Sequence, residues 1–252
     1  MASYRAERIE RLLDERNDWD VQAVRKMHMD VYSTQAERFM NVLRPLLPNS
    51  ANGNLLRDWD CRYDAESKGA FLFEAFYRQL IVDVFGAVCG DEVVQYLMAE
   101  TGVVADFYAN FDDLLVREYS VWYRGESREV VWTRVANRAL QVEVKPWSSR
   151  QKTQMKHLLL GGRYPAWFGF DRGPLVVIGG RATIHQGQIY KIGGRETSFA
   201  PSYRFVTALN EPLSHTALAG GPSDRRFSRW YVSDLENWKA GRLKELGPLG
   251  SQ

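Results

Sequence analysis

Apolar residues recur at three- and four-residue steps through the first half of the chain, the spacing of one buried helix face. Ser3 stands before Tyr4–Leu13, where Ile9, Leu12 and Leu13 share a side, so it reads as an N-cap. Val21, Val24, Met27 and Met29–Val31 continue the spacing. Thr34 caps a segment carrying Phe39, Val42, Leu43 and Leu46. Residues 48–54, Pro-Asn-Ser-Ala-Asn-Gly-Asn, have the composition of a loop. A long apolar helix is predicted from about Ser67 to Val88, and Gly90 closes it. Asp91–Glu118 holds two further helical patterns, and Arg128–Val144 one more.

The pattern changes beyond Gly161. Glycine and proline become dense, and short β-branched or aromatic runs lie between them. Leu175–Ile178, Ala182–Ile184, Gln188–Tyr190, Tyr203–Leu209 and Thr216–Leu218 read as strands. A last amphipathic helix spans about Ser233 to Gly241. Helices first, strands second and a terminal helix predict an α+β fold, with a mainly helical region 1–150 and a β-rich region 151–252.

Composition narrows the classes. The 252 residues carry 33 Lys and Arg against 31 Asp and Glu, a net charge of +2. That balance argues against a dedicated nucleic-acid or membrane-surface protein. No apolar run reaches the roughly 18 residues of a membrane helix. Two cysteines, Cys61 and Cys89, are too few for a disulfide scaffold or a Cys-built zinc site. They read as reduced, half-buried thiols, with a single bridge left open. No signal peptide opens the chain, since Met1–Arg16 is charged and helical in pattern. The compartment is left undetermined between cytoplasm and export.

No self-sufficient reaction centre is visible. His28, His157, His185 and His215 have no metal-type spacing and read as surface or core hydrogen-bonders. Gly179-Gly180, Gly193-Gly194 and Gly220-Gly221 fit turns better than phosphate loops. Asp58…Asp60 and Asp112-Asp113 read as solvated loop acids. The Arg- and Trp-rich run 225–231 fits packing and cation–π contact better than base stacking.

Ordered motifs add what spacing alone does not. Gly173-Pro174, Gly179-Gly180-x-x-Thr183, Ser202–Val206, Gly220–Ser223 and Ser228-x-x-Tyr231-x-x-Asp234-x-x-x-Trp238-x-x-Gly241-Arg242 follow one another. Upstream stand Tyr4-Arg5-Ala6-x-Arg8-Ile9 with Leu12-Leu13, Asp30-x-x-Ser33-x-x-Ala36 and Leu56-x-x-Trp59-Asp60. This series resembles the C-terminal part of the β subunit of the penicillin acylase (penicillin amidase) family of N-terminal-nucleophile hydrolases. Pro222 departs from it, standing where that family has Gln.

The resemblance implies part of an αββα fold and hydrolysis of a linear amide, such as an acylated β-lactam or an N-acyl homoserine lactone. It also implies a nucleophilic serine whose own α-amine is the base, and an oxyanion-binding Asn, both upstream of the matched region. The family's calcium ligands fall mostly upstream too, so no cofactor or metal is expected on this chain. Arg5 matches a family arginine near the active site, where it orients the catalytic Asn or meets substrate. A salt bridge at a helix start is the equal alternative. The chain alone is expected to be inactive, serving as scaffold and pocket wall. The competing expectation is a stand-alone, non-catalytic binding module. The fragment reading implies uncovered apolar surface on strands such as Leu175–Ile178, and hence a partner: the missing N-terminal part of the hydrolase or a second copy.

Overall fold

Five helices begin on a side-chain cap. Asp20, Ser33, Ser50, Ser67 and Ser127 each accept a hydrogen bond from the backbone N–H three residues on. That bond satisfies one of the amides a helix start leaves open. A computed structural model describes residues 4–100, 103–150, 152–187 and 200–247. Its helices are α1 (Tyr4–Asp14), α2 (Val21–His28), α3 (Thr34–Leu43), α4 (Ala51–Arg57), α5 (Lys68–Cys89), α6 (Asp91–Glu100), α7 (Val103–Asp106), α8 (Tyr108–Val116), α9 (Arg128–Ala139) and α10 (Leu235–Lys239). The strands are β1 (Lys152–Met155), β2 (Arg172–Val176), β3 (Tyr203–Thr207), β4 (Ser214–Leu218) and β5 (Lys244–Leu246).

The helical half is organised around α5. Its residues Leu72, Phe73, Phe76, Tyr77 and Leu80 are all fully buried, so water touches little of its middle. Phe39 of α3 stacks on Trp132 of α9 at 5.4 Å and meets Tyr77 edge-on at 5.5 Å. Such offset and edge contacts add to the gain from area burial. One contiguous apolar cluster runs from Val31 to Trp147. No described helix is long and apolar enough to cross a membrane.

The strands are confined to the second half, completing an α+β architecture of helices followed by small antiparallel sheets. β1 and β2 pair with an irregular register between Thr153 and Met155. β3, β4 and β5 form a second sheet in that order. β3 alternates strictly: Arg204 and Val206 are buried, while Tyr203, Phe205 and Thr207 face out. Val177, Ala217, Leu235 and Trp238 make a separate, much smaller apolar cluster. Tyr203 and Phe205 stack on the outer face of β3 and are 56% and 46% exposed.

Several boundaries differ from the pattern. Residues 51–54 begin α4 instead of a loop, because the Ser50 cap outweighs the poor helix propensity of Asn and Gly. Ser33, not Thr34, caps α3. Asp91–Glu118 contains three helices. α9 stops at Ala139, and Asn52 caps its end by donating to the carbonyls of Leu140 and Val142. The Leu175–Ile178 run is only half strand: β2 ends at Val176, and Val177 turns into the small core. Ala182–Ile184 is a tight turn built on Thr183, not a strand. Gln188–Tyr190, Gly193-Gly194 and Ser3 lie outside the described residues. Cys61 is buried, Cys89 is exposed, and both are free.

Candidate functional site

Arg5 lies in the first turn of α1, at the seam between the two halves. Its Nη1 donates to Gln186 Oε1 at 3.0 Å. Its buried Nε has no hydrogen-bond partner among the described residues. α1 is fixed from both sides: Thr34 Oγ1 donates to the Tyr4 carbonyl at 3.0 Å, and Arg8 donates two bonds to Asp30. The Tyr4 ring stacks on Tyr108 at 6.0 Å, and its hydroxyl accepts from Arg38. The neighbouring residues therefore hold this turn in one orientation.

Gln186 ends a folded loop, residues 177–187, that plugs into the helical half. Trp147 Nε1 donates to the Gly179 carbonyl at 2.9 Å, and Gly179 N donates to the Tyr63 carbonyl at 2.9 Å. Gly179 has φ +86°, and a Cβ there would lie 1.8 Å from the His185 carbonyl oxygen, so only glycine closes this turn. Thr183 Oγ1 accepts from Gly180 N and sits 2.7 Å from the His185 carbonyl. Gln186 Nε2 donates to the Arg181 carbonyl at 2.9 Å, which leaves its Oε1 aimed at Arg5.

Beneath the loop is a buried ionic and aromatic cluster. Arg181 pairs with Glu74, which also accepts from Tyr63 at 2.8 Å. The guanidinium covers the Tyr77 ring, 4.7 Å from its centroid. Burial, the largest influence, opposes the charge on Arg181, but the Glu74 carboxylate together with the Tyr77 and Tyr63 oxygens outweighs it and raises the pKa. Tyr77 and Gln35 each donate to Asp112 at 2.7 Å. Burial lifts the Asp112 pKa to about 7, although these two donors pull the other way. Burial raises the Tyr63 and Tyr77 phenols well above their usual range.

A second polar pair joins the loop to the strands. Arg204 Nη2 donates to His185 Nε2 at 3.0 Å, so His185 must be neutral, with its proton on Nδ1 bonded to the Ile178 carbonyl at 3.0 Å. Burial first, then the Arg204 charge, brings the His185 pKa down to about 4. Arg204 is 4% exposed, bonds the Trp238 carbonyl and faces that indole. Burial alone lowers its pKa to about 10.

The other sequence candidates fall into structural roles. Asp112 is fully buried on α8, so the reading of Asp112-Asp113 as solvated loop acids is wrong. Its burial follows from the two neutral donors that satisfy it. Asp113 pairs with Arg38 at 2.8 Å. Asp58 and Asp60 are exposed. Arg226 and Arg229 lie over Phe227 and Trp230, the cation–π role expected of that run. Glu74 and Arg181 were not singled out from the sequence. The available signal was one acid, Glu74, between Phe73 and Ala75 in the longest apolar helix.

The carboxylates Glu74, Asp112 and Asp30 are all engaged by donors within the chain. Among the described residues no three His, Cys, Asp or Glu side chains are grouped to hold a metal ion. What the geometry defines is an α+β scaffold that presents one clamped arginine at the seam of its halves. The sequence profile of the penicillin amidase family matches residues 1–247, and the chain belongs to that family. No curated protein sequence matches it.

Proposed function

We propose that this chain is the C-terminal portion of the β subunit of a penicillin acylase-like amide hydrolase. In this reading the nucleophilic serine and the oxyanion Asn stand outside it. The family match through Arg5 carries the reading. The serine oxygen attacks the amide carbonyl, its α-amine takes the proton and returns it to the leaving amine, and water then releases the acid from the acyl-enzyme. Gln186 holds the Arg5 guanidinium by one nitrogen, leaving its buried Nε for the catalytic Asn or the acyl group. The rest of the chain is scaffold and pocket wall for a small acylated amide.

The test uses a chromogenic phenylacetyl amide. The isolated chain should release no acid. Co-expression with a family N-terminal half that carries the serine should yield turnover. Arg5→Ala in that pair should lower kcat/KM on the order of a hundredfold, the lower end of the scale of one lost charge-stabilising donor. Turnover by the isolated chain that survives both Arg5→Ala and Ser3→Ala would overturn the proposal. A second reading, a non-catalytic binding module, draws on the continuous helical core, which closes within this chain. Cooperative unfolding of the isolated chain together with failure of every complementation would favour it.

A further inference from the structure

Ala75, Arg78, Gln79 and Val82 stand at i, i+3, i+4 and i+7 on α5 and share one face of it. Where that face passes α6 and the end of α9, a cavity of about 320 Å³ opens. Gln95 comes to it from α6, Arg138 and Ala139 from α9 and its end, and Val142 and Arg150 from the chain beyond. Ala75, Val82, Ala139 and Val142 give it apolar walls. It shares no residue with the Arg5 seam.

The charge of this cavity has one sign. Its lining holds three arginines and no carboxylate. Arg138 is already paired with Asp83, which also accepts from Gln79 Nε2 at 2.7 Å. Arg78 and Arg150 are half-buried, and neither guanidinium has a hydrogen bond or a carboxylate partner among the described residues. With Asp83 offsetting Arg138, two positive charges remain. They are close enough to act on each other: burial lowers the Arg150 pKa most, the Glu74 charge raises it, and the Arg78 and Arg181 charges lower it further.

Arg150 lies over the Phe71 ring, 5.2 Å from its centroid. Stacking occupies the flat face of a guanidinium and leaves its edge free, the fork of N–H donors that matches a phosphate. Two like charges held together out of bulk water, with no counterion from their own chain, are satisfied by an anion from outside it.

We propose that this cavity binds a small phosphate monoester. Arg78 and Arg150 take the phosphate, whose charge approaches −2 at neutral pH and so matches the two uncompensated cations. The apolar walls take the ester's organic group, the usual division of labour in a small-molecule site. The site is separate from amide hydrolysis and stands whether or not that reading of the chain holds.

Calorimetric titration of the full chain with phenyl phosphate near pH 7.5 tests this. One equivalent should bind, about tenfold tighter than inorganic phosphate, which lacks the apolar group, and about tenfold tighter than benzenesulfonate, which has a similar shape and a single charge. Arg78→Gln and Arg150→Gln should each weaken phenyl phosphate by about tenfold or more, the scale of one lost charge-assisted contact. Arg225→Gln, which removes one exposed cation elsewhere, should leave the affinity unchanged. Arg78→Lys and Arg150→Lys keep the charge and lose the fork; a weaker affinity in them reads the same contact should a Gln variant not fold. Absence of phenyl phosphate binding, equal affinity for inorganic phosphate or benzenesulfonate, wild-type affinity in the Arg78 and Arg150 variants, or an equal loss in Arg225→Gln overturns the proposal.

Discussion

At the scale of single residues, the molecule has placed charge where water cannot reach it. Glu74 and Arg181 are 5% and 8% exposed, and each is the other's compensation. Removing one partner strands the other, which costs about 3–5 kcal/mol, whereas replacing both by apolar groups is close to neutral. Glu74→Gln should therefore destabilise strongly in urea, and Glu74→Leu/Arg181→Met should lose much less. Equal losses would show that the pair is not coupled. Asp112 and His185 set opposite pH dependences. Asp112 has a native pKa raised to about 7, so it favours the fold below the unfolded carboxylate range and loses that contribution as pH rises to about 7. His185 has a native pKa lowered to about 4, so stability falls as pH drops from about 6.5 to about 4. The two trends oppose each other between about pH 4 and 6.5. Asp112→Asn should expose an acid-side fall on the order of 3 kcal/mol, and His185→Gln the reverse slope. Melts of the three proteins at pH 4.5 and 7 would decide it. A variant with the wild-type pH profile would remove its residue from the account. The sequence left His185 between surface and core and read Asp112 as solvated, so the burial of neither was legible there. Asp112 sits beside Asp113 like any surface pair, and His185 follows a turn; what buries them comes from α3, α5 and β3, remote in the chain.

At the scale of elements, the helices were legible because their starts are local. Ser67 precedes an apolar run, and the structure begins α5 one residue later. Ser127 does the same for α9. α4 shows the limit of composition: Pro-Asn-Ser-Ala-Asn-Gly-Asn looks like a loop, yet one cap bond from Gly53 N to Ser50 Oγ at 3.1 Å starts a helix. That bond predicts its own test. Ser50→Ala should cost about 1 kcal/mol in denaturant unfolding, and Ser50→Gly only a few tenths. Equal effects from the two would place α4's stability in packing alone. Strands fared worse because pairing decides them. β1 and β5 are short and carry no run of β-branched residues, so only their partners β2 and β4 define them. Ala182–Ile184 has strand composition but lies in a turn whose flanks bond elsewhere: Gly180 N donates to Thr183 Oγ1 and His185 N to the Asp30 carbonyl.

At the scale of the whole molecule, the two halves are unequal in what holds them. The helical half closes a cluster of buried residues from Val31 to Trp147, with Trp132, Phe39 and Tyr77 at its centre. The apolar cluster of the sheet half is much smaller: Val177, Ala217, Leu235 and Trp238. That half is fastened to the helices by the 177–187 loop, to which β3 is tied through the His185–Arg204 bond, and by Gly241 packed on Met29. Local opening follows buried apolar contact, so amide exchange should divide the chain along this seam. Amides of α3, α5 and α9 should exchange only through global unfolding. Those of β3 and β4 should exchange through a smaller opening, at least a hundredfold faster under the same conditions. Exchange of β3 as slow as that of α5 would mean that the seam transmits the full stability of the helical core. The seam is also where Arg5 meets Gln186, so the same measurement bears on function. Opening of the sheet half releases the 177–187 loop and with it the Gln186 bond to the Arg5 guanidinium. A covering partner, whether a second copy or the remainder of a hydrolase, would slow exchange in β3 and β4 and hold that arginine in place.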